Sequence, residues 1–255
     1  MNDTNRTNRG EMAVLGCLLA VGLIIGGWAL GAQIKATRLG DRYVSVRGLA
    51  ERTVKSDLAI WTLNYTEAGD DLPSLYSRTE ADKKAILQFL SQQGIQPAEI
   101  TLGIVSVVDN QANQYGGNRK AEHRYIVQQY VTVQTARVDQ VETAAQNSVS
   151  LLQKGIVLAQ NNGGPAFKFN SLNSIKPDMI TEATRNARSA AERFALDAGS
   201  SVGTIRQASQ GVFSILAADS GTPADTDETT YGNNADASLM KTVRVVTEVQ
   251  YYLGK

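Results

Sequence analysis

Two residue types that carry much of protein chemistry are almost missing from this sequence. Among 255 residues there is one cysteine, Cys17, and one histidine, His123. A single cysteine provides neither a disulfide nor a set of thiolate ligands for zinc, and a body without thiols suits an oxidising compartment. A single histidine excludes most mechanisms that need a histidine base, and we interpret His123 as an ordinary surface residue.

An excess of charge is also missing. The 25 lysines and arginines balance the 25 aspartates and glutamates, so the chain offers no broad attraction for nucleic acid or anionic lipid. No glycine-rich phosphate-binding motif lies between a predicted strand and a predicted helix. The acidic residues within residues 217–238 lack the spacing of a calcium-binding loop, which favours a solvated loop. We therefore predict no catalytic residue, no cofactor-binding residue, no metal ligand, no cofactor and no nucleic-acid partner.

The longest uncharged stretch lies near the N-terminus. Residues 1–11 are polar and include Arg6 and Arg9, whereas residues 12–32 contain no charged side chain. A helix of this length, at about 1.5 Å per residue, crosses a hydrocarbon core of about 30 Å. We therefore predict one transmembrane anchor at residues 12–32. Lipidation of Cys17 is disfavoured because the apolar run continues after the cysteine instead of preceding it.

A cleaved signal peptide is the alternative for this stretch. Its apolar region usually spans about 7 to 15 residues and ends at small residues, and residues 29–31 supply a candidate cleavage site. Basic residues flank both sides, with two arginines before the stretch and Lys35, Arg38 and Arg42 after it. The positive-inside rule counts these residues, so charge alone barely decides the orientation.

Residues 43–66 show the clearest strand pattern. Polar and apolar side chains alternate on both sides of a short polar turn at residues 52–57, so we predict a β-hairpin. One face buries side chains such as Val46 and Trp61 against helices, as in a two-layer domain of strands and helices. We interpret Gly48 as a bulge or as a point where another backbone comes close.

Helical patterns follow at residues 70–94 and 138–154, and a third helix is predicted to begin at Lys176-Pro177. Strands are predicted at residues 100–109, 124–135, 166–172, 202–216 and 240–253, the first two of them pairing as a long hairpin. The buried stripe of the first helix is predicted to include Leu72, Leu75, Tyr76, Ile86, Phe89 and Leu90. The third helix carries small residues suited to close packing on its own sheet, namely Ala183, Ala187, Ala190, Ala191, Ala195 and Ala198. The aromatic residues assigned to the core are Trp61, Tyr65, Phe89 and Phe194.

An internal repeat organises these elements. The order strand, helix, strand, loop and strand in residues 58–135 returns in residues 166–253, and the helix at residues 138–154 connects the two. We predict an α+β fold with two β-α-β-β-like halves. They form mixed or antiparallel sheet packed by helices, in one sheet or in two joined sheets, preceded by one N-terminal transmembrane helix.

Two stretches of the chain resemble the SIMPL-domain family of bacterial envelope proteins. The first is V-x-V-x-G-x-A-E-x-x-V-K-x-D-x-A at residues 44–59, and the second is the run FNSLNSIKPDMITEATRNARSAAERFALDAGSSVG at residues 169–203. The resemblance covers residues 40–255 as one SIMPL-like domain. It implies an α+β fold, export from the cytoplasm, self-association and no established catalytic residues. Lys55 and Asp57 match the first motif, and we interpret both as residues that stabilise the turn.

The resemblance and the residues together lead to a functional hypothesis. We expect a non-enzymatic, single-pass protein of the bacterial inner membrane with a periplasmic domain; a cleaved periplasmic form is the alternative. The domain is expected to form a homo-oligomer and to support envelope integrity or stress tolerance, with the lipid bilayer contacted through the N-terminal helix. No small-molecule ligand is identified.

Two other functions compete with this hypothesis. A periplasmic module could bind a ligand or a peptide at its long loops, and a hydrolase could rely on carboxylates alone. A concave pocket with converging carboxylates would favour the hydrolase, whereas a flat, exposed apolar patch would favour assembly. The loops at residues 109–121 and 217–238, which carry opposite charge, are predicted to lie on one side of the domain and to contribute to contacts between subunits.

Overall fold

The structure is a computed structural model that describes residues 14, 16–28, 42–112, 122–159, 164–218 and 235–254. Residues 16–28 form a helix, α1. Within the described part of the chain, no helix is both long enough and apolar enough to cross a bilayer. The predicted anchor at residues 12–32 lies partly outside the described residues, and the polar stretch at residues 1–11 lies wholly outside them.

Strands and helices alternate through the rest of the chain, which confirms the α+β class. A 3-10 turn, Pro97–Glu99, precedes β3. The helices are α2 (Leu72–Gln92), α3 (Val138–Asn147), α4 (Val149–Gln153) and α5 (Leu172–Asp197). The strands are β1 (Tyr43–Lys55), β2 (Leu58–Gly69), β3 (Ile100–Leu102), β4 (Ser106–Asp109), β5 (Tyr125–Thr135), β6 (Leu158–Ala159), β7 (Ala166–Lys168), β8 (Ser201–Gln210), β9 (Ser214–Ala217) and β10 (Met240–Gly254).

The strands form two sheets. One has the order β3-β5-β2-β6, with β4 also pairing with β5 and β7 also pairing with β2. The other has the order β1-β10-β8, with β9 also pairing with β10. The predicted long hairpin is confirmed, since β3 and β4 both run antiparallel to β5. Its first strand is interrupted after Leu102, where Gly103 and the two residues after it form an irregular segment.

The predicted hairpin at residues 43–66 is wrong, because β1 and β2 belong to different sheets. The turn between them makes other bonds. The amide of Ser56 donates to the carbonyl of Leu239 at 3.0 Å, and the amide of Asp57 donates to the carbonyl of Lys168 at 2.9 Å. The turn is therefore held by the chain near β10 and by β7, and it does not close β1 onto β2.

The repeat is present, but one of its strands comes from elsewhere. Two strands pair with β5 in the first half and two pair with β10 in the second, as predicted. The remaining neighbour of β10 is β1, whereas β7 pairs with β2. Length explains the exchange: β7 has 3 residues, β1 has 13 and β10 has 15, and a long strand needs a long partner to satisfy its backbone.

The chain divides into two compact units, which we describe separately. Unit 2 comprises residues 50–182 and 212–245. Its core lies between the β3-β5-β2 sheet and the helices, and it is built from large side chains. Trp61, Tyr65 and Phe89 are buried there, which confirms three of the four predicted core aromatics.

Unit 1 comprises residues 1–49, 183–211 and 246–255. Its small core consists of Val46, Ala187, Ala191, Val249 and Tyr251. Gly48 is buried in β1, and a Cβ atom there would lie 1.9 Å from the carbonyl oxygen of Ala183. The predicted close approach of another backbone at Gly48 is therefore confirmed.

Helix α5 departs from the prediction in two ways. It begins at Leu172, before the predicted start, so that Pro177 lies inside it. Phe194 is 61% exposed and Ala198 is exposed, although both were assigned to the buried face. The buried positions, Ala183, Ala187, Ala191 and Ala195, recur every four residues. Phe194 precedes the last of them by one residue, or about 100° around the helix, which turns it away.

Candidate functional site

Asp57 joins the two stretches that resemble the SIMPL family. Its Oδ1 accepts from the amide of Asn170 and its Oδ2 from the amide of Ser171, both at 2.8 Å. These amides immediately precede α5. Burial alone raises the pKa of Asp57, but the hydrogen bonds from Ser171 and Asn170 outweigh it, so that the pKa lies below its usual value. Asp57 therefore holds the start of α5, a structural role that extends beyond its own turn.

Other charged side chains of β1 and its turn also bind helices. Lys55 Nζ lies 2.6 Å from the Asp139 carboxylate in the first turn of α3. Arg52 lies 3.9 Å from Asp178 and 3.8 Å from Glu182, both on α5. These contacts explain the charges of the motif as structural links within unit 2. Lys55 was interpreted as stabilising the turn, and its side chain contacts α3 instead.

Two carboxyl groups meet where β2 faces α2. Burial raises the pKa of Asp82 to about 6, and the charge of Glu67 and a hydrogen bond with it act in the same direction. Arg78 Nη1 lies 3.3 Å from Glu67 and offsets part of this repulsion. Burial, followed by the charges of Glu80 and Asp82, also raises the pKa of Tyr65. Neither Glu67 nor Asp82 is among the described residues that line the cavity of unit 2.

That cavity has a volume of about 220 Å³ and lies beside β2, between its two short partners β6 and β7. Its wall includes Ile60, Thr62 and Asn64 from β2 and Ser148 from the connecting helices. Asp236 is the one carboxylate among its described lining residues. The described residues contain no group of three or more histidine, cysteine, aspartate or glutamate side chains that could hold a metal ion. The described residues of the cavity thus include no pair of converging carboxylates, the feature that would favour a hydrolase.

An exposed apolar groove lies at the opposite edge of the same sheet. It has a volume of about 350 Å³, and Leu72, Pro73, Tyr76, Val105, Val107 and Val127 line it. Val107 is 48% exposed, and Ile104, next to the groove, is 81% exposed. Leu72 and Tyr76 were predicted to be buried and are exposed instead, because they lie in the first turns of α2, where the sheet ends at the short strand β4.

Ion pairs fix the walls of this groove. Arg124 Nη2 lies 3.1 Å from the Asp109 carboxylate, and the Arg124 amide donates to Asp70 at 2.9 Å. The bond from the Arg124 amide lowers the pKa of Asp70, and the bond from the Arg124 side chain lowers the pKa of Asp109. His123 is half-exposed, with its Nδ1 3.7 Å from Asp70. Arg124 thereby links the end of β4 to the residue that precedes the cap of α2.

A second clamp holds the start of β3. The Glu99 carboxylate accepts from Thr135 Oγ1 at 2.5 Å and from the Gln96 amide at 2.8 Å, and it pairs with the guanidinium of Arg137. Burial opposes ionisation here, but the bonds from Arg137 and Thr135 dominate and lower the pKa of Glu99 to about 2. The segment from β3 to β4, which carries the exposed apolar residues, is thus anchored at both ends.

Sequence reasoning did not identify the groove, although one signal was present. Residues 100–108 contain no charged side chain, and five of them are apolar and exposed. Edge strands in soluble proteins are usually protected by charge, so an uncharged edge indicates an interaction surface. The loops predicted to form subunit contacts, residues 109–121 and 217–238, lie mostly outside the described residues.

These features define a class of protein: an α+β protein with an exposed apolar groove at a sheet edge, whose motif residues hold its helices. The model of the SIMPL family, described as a protein of unknown function (DUF541), matches residues 44–251. The chain therefore belongs to the SIMPL family. Both stretches recognised in the sequence fall within the match. Among curated proteins, none matches the chain.

Proposed function

We propose that this protein is a non-enzymatic, self-associating SIMPL-domain protein of the bacterial cell envelope. In this proposal residues 12–32 anchor it in the inner membrane, the domain faces the periplasm, and the assembly supports envelope integrity or stress tolerance. The observation that carries self-association is the exposed apolar groove between β4 and the start of α2.

Several properties of the groove suit it to a contact between subunits. Apolar side chains at exposed positions lose water when a second surface covers them, which is the main driving force of association. The groove is uncharged, and its charged neighbours Asp70, Asp109 and Arg124 already bind one another. A second subunit that covers the groove therefore buries no charged side chain that lacks an opposite charge beside it.

The placement in the envelope rests on two supports. Residues 12–32 contain no charged side chain over a length sufficient for a transmembrane helix. Family membership supports export, since the family that the motifs resemble consists of envelope proteins. Intact-mass analysis of protein extracted from membranes tests the anchor, and a mature chain that begins near residue 32 and leaves the membrane without detergent would overturn it.

Molar mass in solution tests self-association. The full-length chain, 27.4 kDa, is purified in a mild detergent and measured by light scattering with the detergent contribution subtracted. We expect a multiple of the chain mass for the wild type. Val107→Asp in the groove should shift the mass to that of one chain, because a buried unpaired carboxylate is costly.

The matched control is Val149→Asp, since Val149 is 57% exposed but lies on α4, outside the lining of the groove. This variant should keep the wild-type mass. A wild-type chain that is monomeric at all concentrations would refute self-association, and an assembly that Val107→Asp leaves intact would exclude the groove as its interface.

A further inference from the structure

The outer face of the sheet in unit 2 has an unusual composition. Side chains on the strands β2 and β5 alternate between the buried core and this opposite face. Cross-strand pairing places Thr62 beside Thr132, Asn64 beside Tyr130 and Thr66 beside Gln128. Thr101 and Ser106 extend the first and third of these rows onto β3 and β4. None of these side chains is charged. We call the following residues the amide-hydroxyl face: Thr62, Asn64, Thr66, Thr101, Ser106, Gln128, Tyr130, Thr132 and Gln134.

Three uncharged rows on an exposed sheet face need an explanation; the nearby charge on this face is Lys168, which lies beside Leu58 on the short strand β7. Lysine and glutamate are side chains that are mostly exposed, and the outer face of the other sheet carries the ion pairs Arg47–Glu248 and Arg244–Glu51. Glutamine, asparagine and threonine donate and accept hydrogen bonds without a net charge. The face therefore matches a ligand that is rich in hydrogen-bonding groups and is itself neutral.

Most of these groups have no hydrogen-bond partner in the part of the chain that the structure describes. Thr62 Oγ1 and Thr132 Oγ1 bind each other at 3.2 Å. The side-chain amides of Asn64, Gln128 and Gln134 make no hydrogen bond to other described residues. They are held in fixed rows by the antiparallel ladder, so a ligand can bind them without ordering the backbone first.

Tyr130 occupies the middle row of the face, and its ring lies flat. A Cβ atom on Gly103 would be 2.4, 2.4 and 2.6 Å from three adjacent atoms of the ring. Distances this similar arise only where the face of the ring, and not its edge, covers the glycine. The residue is 40% exposed, so the opposite ring face is open to solvent. A side chain at position 103 would displace the ring.

The size of the face argues against a second protein as its occupant. Three strands spaced about 4.8 Å apart, over the seven residues from Ile60 to Thr66 at about 3.4 Å each, give a surface of roughly 300 Å². A stable protein interface needs about 800 Å² per partner. A linear ligand a few sugar units long fits the smaller of these two areas.

We propose that the amide-hydroxyl face binds a neutral oligosaccharide, with one sugar ring stacked on Tyr130 and its neighbours hydrogen-bonded to Asn64, Gln128 and Gln134. The apolar face of a pyranose covers an aromatic ring, while its hydroxyl groups point sideways to amides and hydroxyls. A charged ligand would find no counter-charge within these rows, since Lys168 and Asp236 lie beside the rows, at the edge of the sheet near β7. This site is independent of the groove proposed for self-association, from which it differs in chemistry.

Calorimetric titration of the full-length protein with chitohexaose and with cellohexaose tests the proposal. We expect binding of at least one sugar. Tyr130→Ala should weaken it by about tenfold through loss of the stacking platform, while Tyr130→Phe, which keeps the ring, should remain within about threefold of wild type. Tyr252→Ala is the matched control, because Tyr252 is also exposed but lies in unit 1.

Two further measurements keep the test decisive. Circular dichroism shows whether Tyr130→Ala folds. If it does not, Gln128→Lys, which changes one exposed side chain, should still weaken binding. Molar mass by light scattering should be the same for these variants as for wild type, which separates this site from the groove. No binding of either sugar by the wild type, or equal binding by Tyr130→Ala and wild type, would overturn the proposal.

Discussion

The two units stabilise a helix on a sheet by different means. In unit 2, α2 packs through Leu75, Ile86, Phe89 and Leu90, each almost fully buried. In unit 1, the second part of α5 packs through alanines on a strand that contains Gly48. Large side chains gain stability from the apolar area they bury, whereas alanines gain it by letting two backbones approach. Unit 2 should therefore be sensitive to lost volume, and unit 1 to added volume.

The largest effect should come from lost volume in unit 2. Phe89→Ala removes a ring that is 3% exposed in the core, and we expect a loss of about 4 kcal/mol in the free energy of unfolding. Phe194→Ala is the matched control, since Phe194 is 61% exposed, and it should change stability by less than about 0.5 kcal/mol. Urea denaturation of the full-length protein measures both. Equal losses would show that Phe194 is covered in solution.

A single methyl group in unit 1 should have nearly as large an effect. The Cβ of Gly48→Ala would lie 1.9 Å from the Ala183 carbonyl oxygen and 2.6 Å from the Ala187 amide nitrogen. Backbone atoms cannot rotate away, so the helix must shift, at a cost of about 3 kcal/mol. Ser45→Ala, at an exposed position on the same strand, is the control. A melting temperature unchanged by Gly48→Ala would contradict the close contact.

Added volume on α5 should cost less, because a leucine side chain can bend. Ala187→Leu or Ala191→Leu overpacks positions that are 0% exposed, and we expect about 2 kcal/mol of destabilisation for each. Ala198→Leu makes the same change at an exposed position of the chain just after the helix and should be close to neutral. The melting temperatures of the three variants test this prediction. If neither Ala187→Leu nor Ala191→Leu lowers the melting temperature, the alanine face of α5 is exposed in solution.

The smallest effect concerns pH and belongs to unit 2 alone. Asp82 has a folded-state pKa of about 6, above the value of about 3.9 expected in the unfolded chain. The contribution of Asp82 to the free energy of unfolding is therefore fully present below about pH 4 and is lost as the pH rises through about 6, because the carboxyl group ionises less readily in the folded protein than in the unfolded chain. Asp82→Asn should remove this decline. Urea midpoints between pH 4 and pH 7 measure it; parallel profiles for the variant and the wild type would rule out the pairing with Glu67.

Local patterns predicted the elements well, and their partners less well. The alternation in β1 and β2 is real, yet it carries no information about which strand lies next to which, and the expected hairpin between them does not form. The small residues of α5 indicated close packing, and Gly48 indicated the matching approach. The positions of Phe194, Leu72 and Tyr76 were missed because helical periodicity marks a face without telling where the sheet beneath it ends.

The amino-acid sequence by itself determined the α+β class, the family, the uncharged stretch at residues 12–32, the repeat and the near absence of cysteine and histidine. These depend on composition, spacing and short-range conformational preference. The tertiary structure alone decided that β1 completes the sheet of β10, that Asp57 holds the start of α5, and that the apolar groove and Tyr130 are exposed. Such features depend on contacts between residues far apart in the chain, which local patterns do not specify.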